Sequence, residues 1–218
     1  YSEYNNKDVL EIGCGLGLVA ATLSKSGAKL EAIDATDNAV KMTKLRFEIN
    51  NLNGNIKKMD AENLKYNNST FDYVVSWGVI HHSGNMEKIV ANIHKVLKPN
   101  GKAYIMIYNK NSLRYRWYCF FWLGIFKLKF LRLSFDEIVG SITDGYIARH
   151  LNEKEAKKLM KDFKEIRINY SDEVNTILLY LLGPLNKFSN FIPKKIKIKI
   201  EKFLANRFGW YMQIIVKK

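Results

Sequence analysis

The chain has 218 residues, 47% of them hydrophobic, enough to bury one α/β core with insertions and short for two. Its 35 Lys and Arg outweigh 21 Asp and Glu to give a formal charge of +14, and its two cysteines exclude both a disulfide framework and a Cys-x-x-Cys zinc site. The charge is uneven: residues 1–109 hold 13 basic and 11 acidic side chains, whereas residues 110–218 hold 22 and 10. A basic surface of this kind suits anionic lipid, nucleic acid or an acidic small molecule, or is the Lys-rich solvated face of a chain from a compositionally biased genome. Reduced cysteines point to the cytoplasm. The chain opens on Tyr1 and reaches its first strand within about ten residues, so any N-terminal helix would lie outside it and no leader can be judged.

In chain order, the first half alternates strand-like and helix-like segments with short breaks, the pattern of a doubly wound parallel sheet. Strands are expected at 8–12, 29–33, 55–59, 72–76 and 102–108, with helices at about 16–25, 37–50 and 85–97. Lys98-Pro99-Asn100-Gly101 is the turn that stops the third helix. Beyond Asn109 comes an aromatic and cationic insertion, residues 112–135, whose uncharged run Trp117–Phe126 is about half the length of a membrane-spanning helix. Asn152 and Glu155 match a capping box, with Leu151 as a staple, opening a helix to about Phe163. A sixth strand follows at 166–170 and a second insertion at 171–209. In that insertion Lys194–Ile200 alternates like a strand, but Ile196, Ile200, Phe203 and Leu204 share a helical face and Pro193 precedes them, so a helix is expected. Residues 210–216 form the last strand, and no internal repeat is present.

Val9-Leu10-Glu11-Ile12-Gly13-Cys14-Gly15-Leu16-Gly17 carries the chemistry: an apolar strand runs into three glycines at alternate positions behind an acid. A pyrophosphate-cradling G-x-G-x-x-G needs a glycine at position 18, where Leu18 stands, so a dinucleotide is disfavoured. A carboxylate beside the cofactor repels pyrophosphate and attracts a cation. S-adenosylmethionine, with an ammonium and a sulfonium and no phosphate, fits that preference. Asp34 ends the second strand about 20 residues on, as suits a carboxylate reading a ribose diol. An acid there can also simply cap the next helix.

With these motifs, residues 8–109 resemble a class I S-adenosylmethionine-dependent methyltransferase of the small-molecule kind, which includes quinone-pathway enzymes. The resemblance implies a Rossmann-like α/β fold: one domain over 1–218, with a mostly parallel seven-stranded sheet and helical insertions after strand 5 and between strands 6 and 7. Residues 1–109 would be the cofactor half and 110–218 the substrate half. It also implies cofactor contacts from Glu11, Gly13, Cys14, Gly15 and Gly17 to the methionine moiety, and from Asp34 and Ala35 to the ribose. Asp60 and Ala61, in Lys58-Met59-Asp60-Ala61-Glu62-Asn63-Leu64, would read adenine, while Ser76 and Trp77 would flank the methionine end. Lys95-Val96-Leu97-Lys98-Pro99-Asn100-Gly101 is a further family mark with a structural role.

His81 and His82 close the fourth strand, where an imidazole can deprotonate the attacking group, although paired histidines there can equally serve packing. No metal site is assembled from four histidines. Substrate choice is expected beyond Asn109, with Tyr108, Tyr146 and His150 as candidates. Thr143-Asp144-Gly145-Tyr146 with Arg149-His150 is a polar cluster that can also be a plain turn. The aromatic insertion reads as a cap or a dimer surface, with membrane-surface contact or an apolar substrate as the alternative. The expected partner is a small molecule, anionic or apolar, with peripheral membrane contact second. Nucleic acid is disfavoured: Trp77-Gly78-Val79-Ile80 stands in place of the Asp/Asn-Pro-Pro-aromatic motif, and neither cysteine is placed as a nucleophile.

Overall fold

The computed structural model describes residues 2–143, 148–173 and 176–218. The chain forms two compact units, one of Tyr1–Met106, Lys157–Arg167 and Ile214–Lys218, the other of Ile107–Ala156 and Ile168–Gln213.

The first unit begins with β1 (Asp8–Ile12), α1 (Leu18–Lys25), β2 (Lys29–Asp34), α2 (Asp37–Ile49) and β3 (Asn55–Lys58). It continues through β4 (Phe71–Trp77), α3 (Met86–Val96) and β5 (Leu97–Asn109), the last three residues of which belong to the second unit. Along β1 and β2, Val9, Leu10, Ile12, Ala32 and Ile33 are almost fully buried, as expected of parallel strands covered on both faces. With β6 (His150–Leu151), β7 (Glu165–Ser171) and β8 (Tyr211–Lys217), the sheet runs in the order β3-β2-β1-β4-β5-β8-β7, and β6 pairs with β5. Strands β1 to β5 pair in parallel. Lys218 N donates to Gly101 O (3.0 Å) and Asn109 N to Trp210 O (2.8 Å), so β8 runs antiparallel to β5.

This α/β, Rossmann-like sheet is the expected one with two differences. It has eight strands instead of seven, because the two-residue β6 pairs Tyr108 with His150 and Asn109 with Leu151. The turn expected at Lys98–Gly101 lies inside β5: Leu97 already pairs with Phe71, and a register shift with Asn100 at φ 63° takes up the extra residues. Lys98 makes this bulge a tie point, its ammonium 2.7 Å from Asp8 and 2.9 Å from Asp72, while Asp72 also accepts from Asp8 N.

In the second unit Leu113–Phe126 is a 14-residue π-type helix, capped by Ser112 Oγ accepting from Tyr115 N (3.0 Å). It packs a small core of Cys119, Leu123, Ile138 and Val139. Trp117 and Trp122 both donate their indole N–H to Leu181 O. Among the described residues no helix is long and apolar enough to cross a membrane. Next come α4 (Phe135–Gly140) and α5 (Glu153–Leu159), the latter opened by the expected box, with Asn152 N donating to Glu155 and Glu155 N to Asn152. It stops four residues before Phe163. After α6 (Ile177–Leu182) and a 3-10 stretch over Gly183–Phe191, α7 (Lys194–Phe208) is the helix expected after Pro193. Its apolar face is not seated on a core. Glu201 is buried instead, and Ile196, Ile200 and Phe203 are exposed.

Burial alone raises the Asp72 pKa, but the Lys98 ammonium and the Asp8 amide outweigh it and hold the carboxyl below the ordinary aspartate range. A depressed carboxylate adds stability above its unfolded pKa and loses it as the pH falls through the folded one. Lys98→Met should therefore destabilise the fold by about 1 kcal/mol in urea denaturation at neutral pH. The gap to the wild type should close in acid, and a pH-independent gap would assign Lys98 a packing role only.

Candidate functional site

The glycine turn is shaped by backbone before any side chain acts. Gly13 N and Cys14 N both donate to Ile33 O, at 2.8 and 3.0 Å, which turns the chain back against the end of β2. Gly13, Gly15 and Gly17 have φ of 80°, 51° and 74°, a region that favours glycine. A Cβ on Gly13 would overlap the Val79 side chain, and one on Gly17 would lie 2.9 Å from Thr43 Cγ2. From α2, Thr43 Oγ1 donates to Gly15 O (3.1 Å) and Arg46 Nε to Leu16 O (2.6 Å).

Asp34 joins the turn to the start of α2. One carboxylate oxygen accepts from Gly15 N (3.1 Å) and the other from Thr36 N and Oγ1, both 2.9 Å. Thr36 in turn caps α2 by accepting from Ala39 N. Asp60 orders the turn after β3, accepting from Glu62 N and from the Asn63 amide, each at 2.8 Å. Glu62 reaches across to the segment after β4, accepting from Ser83 Oγ (2.6 Å) and Asn85 N (3.0 Å), and Asn92 of α3 donates to Ala61 O.

Between these turns lies a cleft of about 230 Å³ at the carboxyl ends of the parallel strands. Of the expected residues, Gly13, Asp34, Ala35, Asp60, Ala61 and His82 line it together. Ile12, Ile33, Met59, Glu62, Val79, Ser83 and Ile89 also line it and were not anticipated. Ile12, Ile33 and Met59 each precede an expected residue, so adjacency alone was a signal for them. The place of Val79 and Ile89 depends on packing that no motif encodes.

Glu11 does not line the cleft. It is buried, its Oε2 has no hydrogen-bond partner, and burial, then the neighbouring Asp34 charge, push its pKa up to about 8. Cys14 and Ser76 are likewise buried outside the lining, the thiol pKa of Cys14 raised by burial, while Trp77 is exposed. Gly15 and Gly17 shape the turn without facing the cleft. His81 is fully buried with its ring 4.2 Å from that of His82. Tyr108 and His150 stand together in the second unit, their rings stacked at 5.5 Å, with Tyr115 and Trp210 at 4.7 and 5.0 Å from His150. Tyr146 lies outside the described residues. Among the described residues no group of three or more His, Cys, Asp or Glu is placed to hold a metal.

A glycine turn, strand-end carboxylates and a crevice at the carboxyl ends of a parallel sheet define a nucleoside-cofactor enzyme of the Rossmann-like class. Residues 10–105 match the family model described as a methyltransferase domain. A ubiquinone biosynthesis O-methyltransferase of Rickettsia akari is 30% identical over 208 residues, covering 88% of this chain and 78% of the relative. Among solved structures, a phosphoethanolamine N-methyltransferase of Haemonchus contortus superposes with a TM-score of 0.66 at 18% identity, over 98% of this chain and 49% of that one. A methyltransferase of Archaeoglobus fulgidus gives 0.64 at 15% identity, over 99% and 87%. The chain belongs to the class I S-adenosylmethionine-dependent methyltransferases.

Gly13→Ala should destabilise the chain by about 1–3 kcal/mol through the left-handed backbone and the overlap with Val79. Adding Val79→Ala should restore part of that loss in thermal or urea unfolding. Strict additivity of the two substitutions would show that the overlap costs nothing.

Proposed function

We propose that this methyltransferase moves the methyl group to an oxygen nucleophile of a small, largely apolar molecule. The observation that carries the cofactor part is the buried Glu11 beside Asp34, its Oε2 without a hydrogen-bond partner, under a turn of three left-handed glycines. An acid in this setting is stabilised by a cationic ligand and penalised by a phosphate. S-adenosylmethionine fits that donor set, and when bound it supplies a methyl group activated by a sulfonium. The backbone of Gly13, Cys14, Gly15 and Gly17 would cradle its methionine moiety, with Ser76 and Trp77 toward the same end. Asp34 and Ala35 would hold the ribose, and Asp60 and Ala61 the adenine edge.

Oxygen as the nucleophile is supported by the relative of Rickettsia akari, which is named a ubiquinone biosynthesis O-methyltransferase. His82, on the cleft wall, would accept the proton from the attacking hydroxyl, whereas His81 would support it from the interior. The aromatic group of Tyr108 and His150, together with Tyr146, is the candidate for recognising the acceptor ring. A peripheral place at a membrane belongs to the same reading, since acceptors of this kind are apolar.

Two measurements test this. The ratio of wild-type to Glu11→Gln affinity for S-adenosylmethionine, by calorimetry, should approach one in acid and grow until the pH passes about 8, where Glu11 ionises unaided. Taking the ratio cancels the titration of the ligand itself, and a flat ratio would remove Glu11 from the site. With hydroxylated aromatic acceptors, His82→Ala should lower kcat about 10² or more while cofactor affinity is kept. Unchanged turnover would make the imidazole structural.

A further inference from the structure

We propose that the segment from Leu185 to Phe203 in the second unit docks on an anionic lipid surface. The proposal rests on the membrane-peripheral part of the reading above and is independent of which acceptor is methylated. Over this segment the usual burial pattern is inverted. Helix α7 buries its one acid, Glu201, and leaves Ile196 (51% exposed), Ile200 (36%) and Phe203 (64%) open at the i, i+4, i+7 spacing of a single helical face. Just before it, Leu185, Phe188 and Phe191 project into solvent, the last 84% exposed, and the two phenylalanine rings lie side by side with centroids 6.4 Å apart. An exposed apolar run of this extent marks an interaction surface.

The charge of the segment selects the partner. Between Glu173 and Glu201 there is no Asp or Glu and there are five Lys, and Lys202 and Arg207 follow within the same helix. Lysines interleaved with Ile and Phe match the interface of an anionic bilayer, which takes apolar side chains below its headgroups and attracts ammonium groups at them. A second copy of the chain would bring two like-charged faces together. A nucleic acid would engage the lysines and leave three phenylalanines in water. The 15 residues of α7 extend about 22 Å, short of a bilayer core, so the helix lies along the surface and does not span it.

The test is co-sedimentation of the full chain with vesicles of phosphatidylglycerol and phosphatidylcholine in equal parts, and with vesicles of phosphatidylcholine alone. Binding to the anionic vesicles only, weakened by salt, is expected. Replacing Lys194, Lys195, Lys197 and Lys199 by Gln should weaken binding by about fivefold for each charge removed. Phe188→Ser with Phe191→Ser and Phe203→Ser should release the protein; six of the seven side chains are exposed and Lys197 is half-buried, and unaltered thermal melting checks that the fold is kept. No binding, equal binding to both vesicles, or binding unaffected by either set of substitutions would overturn the proposal. So would a dimer in sedimentation velocity that the Phe substitutions abolish. Vesicle binding is read without turnover, so loss of the methyl-transfer reading would leave this result standing, and the reverse.

Discussion

The end of β2 holds the glycine turn in place through two adjacent residues. Ile33 offers one carbonyl to both Gly13 and Cys14, and Asp34 then takes the amides of Gly15 and Thr36 on separate carboxylate oxygens. The left-handed glycines are tolerable only because these bonds, with Thr43 and Arg46 from α2, over-determine the turn. Everything downstream depends on that closure: the position of Val79 above Gly13, the depth of Glu11, and the opening of the cleft. Asp34 therefore does structural service as well as any service to a ribose, but the helix cap that its position suggested falls to Thr36, which Asp34 holds through its amide and hydroxyl.

Much of the first unit was legible because its signals are local. A run of buried apolar residues ending in glycine says strand and then turn, and the parallel order of β1 to β5 follows from helices too regular to be loops. Part of the cleft lining was legible for the same reason: Gly13, Asp34 and Ala35 stand at or next to strand ends, Asp60 and Ala61 in the turn just after β3, and strand ends meet in parallel sheets. Pro99 and Gly101 misled at β5, since both residues punctuate chains in general, and only the pairing of Leu97 with Phe71 shows that the strand has already begun. Glu11 was assigned to the cofactor from its sign of charge, but its burial, and hence its altered acidity, belongs to the packed sheet and cannot be read along the chain.

The second unit was less legible, because its elements are set by contacts of long sequence separation. The two tryptophans of the π-type helix share the carbonyl of Leu181, about 60 residues away, and the aromatic group around His150 draws Tyr108, Tyr115 and Trp210 from three parts of the chain. Periodicity identified α7 as a helix and Ile196, Ile200 and Phe203 as sharing a face, and that face is exposed. A helical pattern reports which residues share a face; it carries no information on whether that face meets a core or something outside the chain.

The two cysteines have a practical consequence. Cys14, within the glycine turn, is packed in the core of the first unit and Cys119 in the small core of the π-type helix, both buried, with thiol pKa values raised by burial, that of Cys119 to about 12. Nucleophilic thiolate is therefore scarce at either position, and both thiols of the chain are buried. A cysteine introduced on α7 or beside the cleft would be the one reactive handle on the folded chain, which makes the native sequence a ready background for site-specific spin or fluorophore labelling.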